Sequence, residues 1–152
     1  MKIEKKLILS NIINGAFIIL IGLFAFQNLN LVLTKLRFVE IADDLNASFL
    51  EMRLAEKNYF LYRDGQALAE IREKIGAADR TLQEEQGNII PAIGETDLQR
   101  LESKLRVYAT TITAVRGGGP PSADQEERIR GAGRKLKEYA DSITRLERKR
   151  VN

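Results

Sequence analysis

The sequence contains no cysteine and no histidine. The first absence removes disulfides and thiolate chemistry, even for a domain that faces an oxidising compartment. The second removes imidazole zinc sites, histidine-ligated haem and histidine-based acid–base catalysis. Aromatics make up 7% of the chain and prolines number three, a composition that argues against a β fold. Neither sign of charge dominates. The 24 Lys and Arg residues against 21 Asp and Glu leave +3, with acids and bases interleaved. That is a solvated helical surface without an electrostatic footprint for nucleic acid.

What the chain does have is one long apolar run. Leu7 to Phe26 contains no charged residue and begins directly after Lys5-Lys6. At ~1.5 Å per residue it spans roughly 30 Å, the hydrocarbon thickness of a bilayer. A signal peptide needs a shorter run and a small-x-small cleavage site. Here the run ends Ala25-Phe26-Gln27-Asn28, without such a site. The expectation is an uncleaved anchor in a lipid bilayer: residues 1–6 cytoplasmic, a transmembrane helix over 7–26, and residues 27–152 outside the cytoplasm. The orientation follows from the positive-inside rule. Lysines precede the run, whereas Lys35 and Arg37 beyond it are offset by Glu40, Asp43 and Asp44. Within the anchor, Asn11, Gly15, Ile18 and Gly22 recur at helical spacing. Small and amide residues on one stripe let membrane helices approach closely, which marks this face as a candidate transmembrane dimer seam.

The remaining residues form one small domain, large enough for a helical core and too small for two enzyme domains. Four apolar stripes of helical period follow. The first runs through Leu36, Ala42, Leu45, Phe49, Met52 and Tyr59, and stops at Asp64-Gly65, a turn dipeptide. The second carries Leu68, Ile71, Ile75, Ala78 and Leu82, and is interrupted by Gly87-Asn88 and Pro91 before a loop ending at Gly94-Glu95. The third carries Leu98, Leu101, Leu105, Tyr108, Ile112 and Val115, after a Thr96/Gln99 capping-box pattern. Gly117-Gly118-Gly119-Pro120-Pro121 cannot lie inside a helix. The fourth carries Ile129, Ala132, Leu136, Tyr139, Ile143 and Leu146, after a Ser122/Gln125 capping-box pattern.

Stripes of similar length joined by short connections predict an all-α chain. Its transmembrane helix continues into an antiparallel up-down-up-down four-helix bundle. In that topology the fourth helix returns to the membrane surface at Asn152, as if a second span were to follow.

Glu56 breaks the pattern. The spacing 45, 49, 52 points to 56 as the next core position, and a carboxylate there costs several kcal/mol unless paired. Arg53 lies one turn earlier on the same face. The pair fixes helix register in a structural reading, and supplies a charged site in a functional one. Arg53 and Glu56 lie roughly 13 to 17 Å from the Asp64-Gly65 turn at 1.5 Å per residue. The same level falls near Gly76-Ala77-Ala78, Tyr108 to Thr111, and Gly131-Ala132-Gly133. Helix-interior glycines usually have a packing or functional reason. Here the reason is close helix approach, or a cavity lined by Arg53, Glu56, Lys57, Tyr108 and Thr111. Such a cavity would suit a small organic anion held by paired arginine hydrogen bonds. No catalytic, metal or cofactor constellation emerges. Gly117-Gly118-Gly119 lacks the Lys of a phosphate loop, and Gly131-Ala132-Gly133 lacks the third glycine and the strand of a dinucleotide fingerprint.

The string Arg53-x-x-Glu56-Lys57-Asn58-Tyr59-Phe60-Leu61-Tyr62, followed by Arg63-Asp64, resembles the first-helix signature of bacterial extracytoplasmic four-helix sensor domains. Those domains occur in membrane sensor histidine kinases and, as helical bimodular sensors, in chemoreceptors. Thr144-Arg145-Leu146-Glu147-Arg148 is similar to the stretch preceding the second span of such kinases. The resemblance implies a periplasmic input domain in the bacterial inner membrane, a homodimer, and signalling by small helix displacements. It also implies anion contacts at Arg53 and Lys57, since the bimodular relatives bind small carboxylic acids. The chain has room for one four-helix module and not two. Other classes remain open at this stage: the input domain of a chemotaxis receptor or cyclic-dinucleotide enzyme, and a single-pass structural protein.

Overall fold

The computed structural model describes residues 3–115 and 121–151, and the side chains of most of them. The Gly117–Pro120 break and the side chains of Glu147, Arg148, Lys149 and Arg150 lie outside the described residues. Five helices appear among the described residues and no strand: α1 (Ile3–Tyr62), α2 (Gly65–Glu84), α3 (Gln86–Ile93), α4 (Glu95–Thr113) and α5 (Ala123–Val151). The chain divides into two compact units, Met1–Leu36 and Arg37–Asn152.

The first unit is the N-terminal part of α1. Its apolar window has a mean hydropathy of 2.2 and buries none of its residues against the protein. Among the described residues this is the one helix long and apolar enough to cross a membrane. Ile12, Phe17, Ile18 and Phe24 are each more than half exposed. Asn11, Gly15, Ile18 and Gly22 share one face, and a side chain added at Gly15 or Gly22 would meet open space.

The second unit holds the core. On α1 it begins at Phe38 and Ile41 and runs through Ala42, Leu45, Phe49, Met52, Ala55 and Tyr59. Leu36, expected to open this stripe, is 58% exposed and belongs to the other unit. The α2 and α4 stripes are placed as their spacing requires, with Ile71, Leu82, Leu105 and Tyr108 fully enclosed. On α5, Ile129, Leu136 and Ile143 are buried, while Leu146 is 59% exposed. Its groove neighbours are Glu138, Asp141, Ser142 and Arg145, none of which offers apolar cover.

Helix α4 packs against α5 and α2. Cross-helix polar contacts tie α1 to the others. Arg37 reaches Glu85 at 2.8 Å, Glu51 pairs with Lys74, and Asn46 donates to Thr144 Oγ1 at 3.1 Å. Arg63 lies 3.9 Å from Glu126. Tyr139 on α5 donates to Asp97 on α4 at 2.9 Å.

Three local outcomes differ from the sequence reading. Residues expected to be loop form α3, because Ile89, Ala92 and Ile93 present one apolar face to the core despite Pro91. Pro91 is exposed and forgoes only one helical hydrogen bond. The Thr96/Gln99 capping box does not form: Gly94, at φ 85°, is the N-cap, and Gln99 donates to Glu95 instead. The helix begins before Thr96 can cap it, with Glu95 and Asp97 complementing its dipole. At the first turn the left-handed residue is Arg63 (φ 54°), whose N–H donates to the Tyr59 carbonyl, and Gly65 already lies in α2. Asp64 caps α2 by accepting from the Gln66 N–H at 2.8 Å. The Ser122/Gln125 box forms in both directions, at 2.9 and 3.2 Å.

Candidate functional site

The extrapolated α1 stripe places Glu56 in the core, and there it is: the residue is 2% exposed. Its spacing from Arg53 lets the guanidinium fold back one helical turn, and Arg53 Nη1 donates to both carboxylate oxygens. From α4, the Tyr108 hydroxyl donates to Glu56 Oε2 at 3.1 Å. From α5, the Arg130 carbonyl accepts from Arg53 Nη1 at 3.4 Å. The carboxylate is thus held where α1, α4 and α5 meet.

Gly133 makes room for it. A Cβ at this position would lie 2.7 Å from Arg53 Nη1, 2.9 Å from Glu56 Oε2 and 3.1 Å from Arg53 Cδ. At Gly133 the small residue accommodates side chains rather than a neighbouring helix backbone. The space opposite it is filled by the Arg53 and Glu56 side chains. Gly131 faces open space, and at Gly76 the nearest atom belongs to Arg80 of the same helix.

Burial of Glu56 pushes its carboxyl above the usual carboxylate range, because desolvation disfavours the charged form. Arg53, the Tyr108 hydrogen bond and Arg130 oppose that rise without cancelling it. Burial, reinforced by the neighbouring carboxylate, raises the Tyr108 phenol, so Tyr108 remains a donor throughout the ordinary pH range. The Arg53 side chain is 30% exposed, whereas that of Glu56 is 3% exposed. The pair therefore has one buried end and one end open to solvent.

The open end leads into a surface groove lined by Arg53, Leu54, Glu56, Lys57, Phe60, Leu61 and Arg130. The Arg130 guanidinium sits 4.9 Å from the Phe60 ring centroid and is paired with Glu126. Lys57 is exposed. Of the five residues expected at the site, Arg53, Glu56 and Lys57 share the groove. Tyr108 lies behind it, joined through Glu56. Thr111 stands apart and donates to the Tyr108 carbonyl of its own helix at 2.7 Å. Leu54, Phe60, Leu61 and Arg130 are the additions. Phe60 belongs to the sensor-like string, and Arg130 directly precedes the Gly131-Ala132-Gly133 run.

A second, apolar cavity of about 20 Å³ lies deeper, bounded by Phe38, Phe49, Leu82, Ile89, Leu101 and Ile143 among others. It is water-sized, far below the several hundred Å³ of an organic-ligand pocket. Among the described residues no three His, Cys, Asp or Glu side chains converge as a metal site. The groove thus sets three cationic side chains, Arg53, Lys57 and Arg130, beside the apolar Leu54, Phe60 and Leu61. No family model matches the chain, nor does any curated protein or solved structure.

Proposed function

We propose that this chain is the sensory input module of a membrane-bound sensor histidine kinase. In this reading the apolar part of α1 spans the cytoplasmic membrane, and the second unit is an antiparallel four-helix bundle outside it. The contact pairs support that topology. Position 46 meets 144, 53 meets 130 and 63 meets 126, so α5 numbers fall as α1 numbers rise. Positions 37 and 51 meet 85 and 74, at the C-cap and within α2, in the same sense.

One observation carries the reading: a buried carboxylate that joins three helices and opens onto a cationic groove. A small organic anion bound there contacts Arg53 and Lys57, and competes with a link that fixes α1 against α5. A differential affinity of ~1–3 kcal/mol between two helix registers suffices to bias their equilibrium. A homodimer belongs to the same reading. Asn11, Gly15, Ile18 and Gly22 form its seam in the membrane.

The coding sequence beyond Asn152 tests the assignment. The reading expects a second apolar span of about twenty residues, then a linker and a histidine-bearing helical hairpin. A methyl-accepting or cyclic-dinucleotide output there would move the module to another receptor class. A stop codon would contradict the receptor reading.

A further inference from the structure

The site contains its own anion. Arg53, the cation best placed to grip a ligand in the groove, already donates to both oxygens of Glu56. An incoming carboxylate or sulfonate meets that internal competitor. Two anions on one guanidinium at the edge of a desolvated site repel each other. Building on the anion-sensing reading above, we propose that anion binding in this groove is coupled to uptake of one proton by Glu56.

The geometry dictates where the proton goes and what moves. On α1, Arg53 faces the carboxylate and Lys57 lines the groove beside it. On α4, Tyr108 donates to Oε2 and keeps its own proton, so the proton comes from solvent. On α5, Arg130 acts on the carboxylate through space, and Gly133 closes that side. The largest influences on the carboxylate thus come from α1, α4 and α5. The balance is one proton added to the carboxylate, giving a neutral carboxylic acid, with no other bond made or broken. The neutral acid keeps the Tyr108 contact and no longer holds the guanidinium. Arg53 already packs against Gly133 on α5, so the freed guanidinium turns the other way, into the groove, where its side chain is already 30% exposed. There it joins Lys57 and Arg130 as a three-cation rim, against the apolar wall of Leu54, Phe60 and Leu61. The rise of the Glu56 carboxyl above its usual range brings this step closer to neutral pH.

The test is calorimetric titration of the full chain in nonionic detergent with benzenesulfonate, whose own charge is constant between pH 5 and pH 8. Two buffers of different ionisation enthalpy give the number of protons taken up per anion. The expected result is an uptake approaching one proton, with affinity falling towards tenfold per pH unit above the carboxyl's own pKa. The Glu56→Gln chain should bind without uptake, with little pH dependence, and more tightly than wild type at pH 8. Binding by the wild type without proton uptake overturns the coupling and leaves the anion site standing. Uptake that persists in Glu56→Gln places the proton elsewhere and also overturns it. Absence of binding by either chain at any pH overturns the anion-sensing reading itself. The proton count on the wild type needs no variant to fold.

Discussion

Gly133→Ala is the sharpest perturbation of the junction. Replacing a helix-interior glycine by alanine ordinarily stabilises by about 1 kcal/mol. Position 133 should behave in the opposite way, because the new Cβ would stand 2.7 Å from Arg53 Nη1 and 2.9 Å from Glu56 Oε2. Overpacking costs about 1–3 kcal/mol, and displacing the guanidinium leaves the Glu56 carboxylate less compensated. Set against the propensity gain, the net expectation is a loss of about 1–2 kcal/mol. Gly131→Ala is the internal control, since nothing lies within 4 Å of a Cβ there. It should gain up to about 1 kcal/mol. Denaturation of the full chain in detergent, followed by circular dichroism, measures both. In an Arg53→Ala/Glu56→Ala background the two crowding side chains are gone, and Gly133→Ala should stabilise as Gly131→Ala does. A stabilising Gly133→Ala in the otherwise unaltered chain would refute the close approach.

Two further outcomes follow from the same contacts. Arg53→Ala should cost about 2–3 kcal/mol at pH 7, below the usual cost of breaking a fully buried pair because the guanidinium is partly exposed. The Glu56 carboxyl is held above its ordinary range, so its ionised form opposes folding. That opposition is absent below the unfolded carboxyl's pKa and grows as pH rises through the folded one. Urea melts should therefore show the Arg53→Ala deficit shrinking towards acid pH, and a Glu56→Gln chain should lose this dependence; an unchanged deficit across the range would mean Glu56 does not titrate in place. Arg63→Gly should stabilise by about 0.5–1 kcal/mol by relieving a left-handed backbone. A loss instead would show that the 3.9 Å pairing with Glu126 outweighs the strain.

The burial of Glu56 was legible because helical period fixes rotation about an axis. Once positions 45, 49 and 52 face the core, 56 must as well. Counting levels from the turn also brought Tyr108 and Gly133 to Glu56, since rise per residue is uniform along a helix. The same count failed for Gly76 and Thr111, because equal height does not set which way a neighbouring helix turns its side chains. The Arg130 stack on Phe60 was illegible for that reason. Capping shows another limit. Thr96/Gln99 and Ser122/Gln125 read alike, yet only the second forms, because the positive φ of Gly94 starts α4 too early for the first. Helix α3 emerged against Gly87 and Pro91 because burying Ile89 outweighs local propensity.

The most direct test of an extracytoplasmic input module is its side of the membrane. The chain has no cysteine, so a single introduced thiol reports unambiguously. Arg128→Cys places it on α5, where the native side chain is 71% exposed. Ile3→Cys places it in the N-terminal segment while keeping the lysines that set orientation. In spheroplasts treated with a membrane-impermeant maleimide, Arg128→Cys should label before lysis and Ile3→Cys only after it. The reverse pattern would put the groove in the cytoplasm and contradict the account.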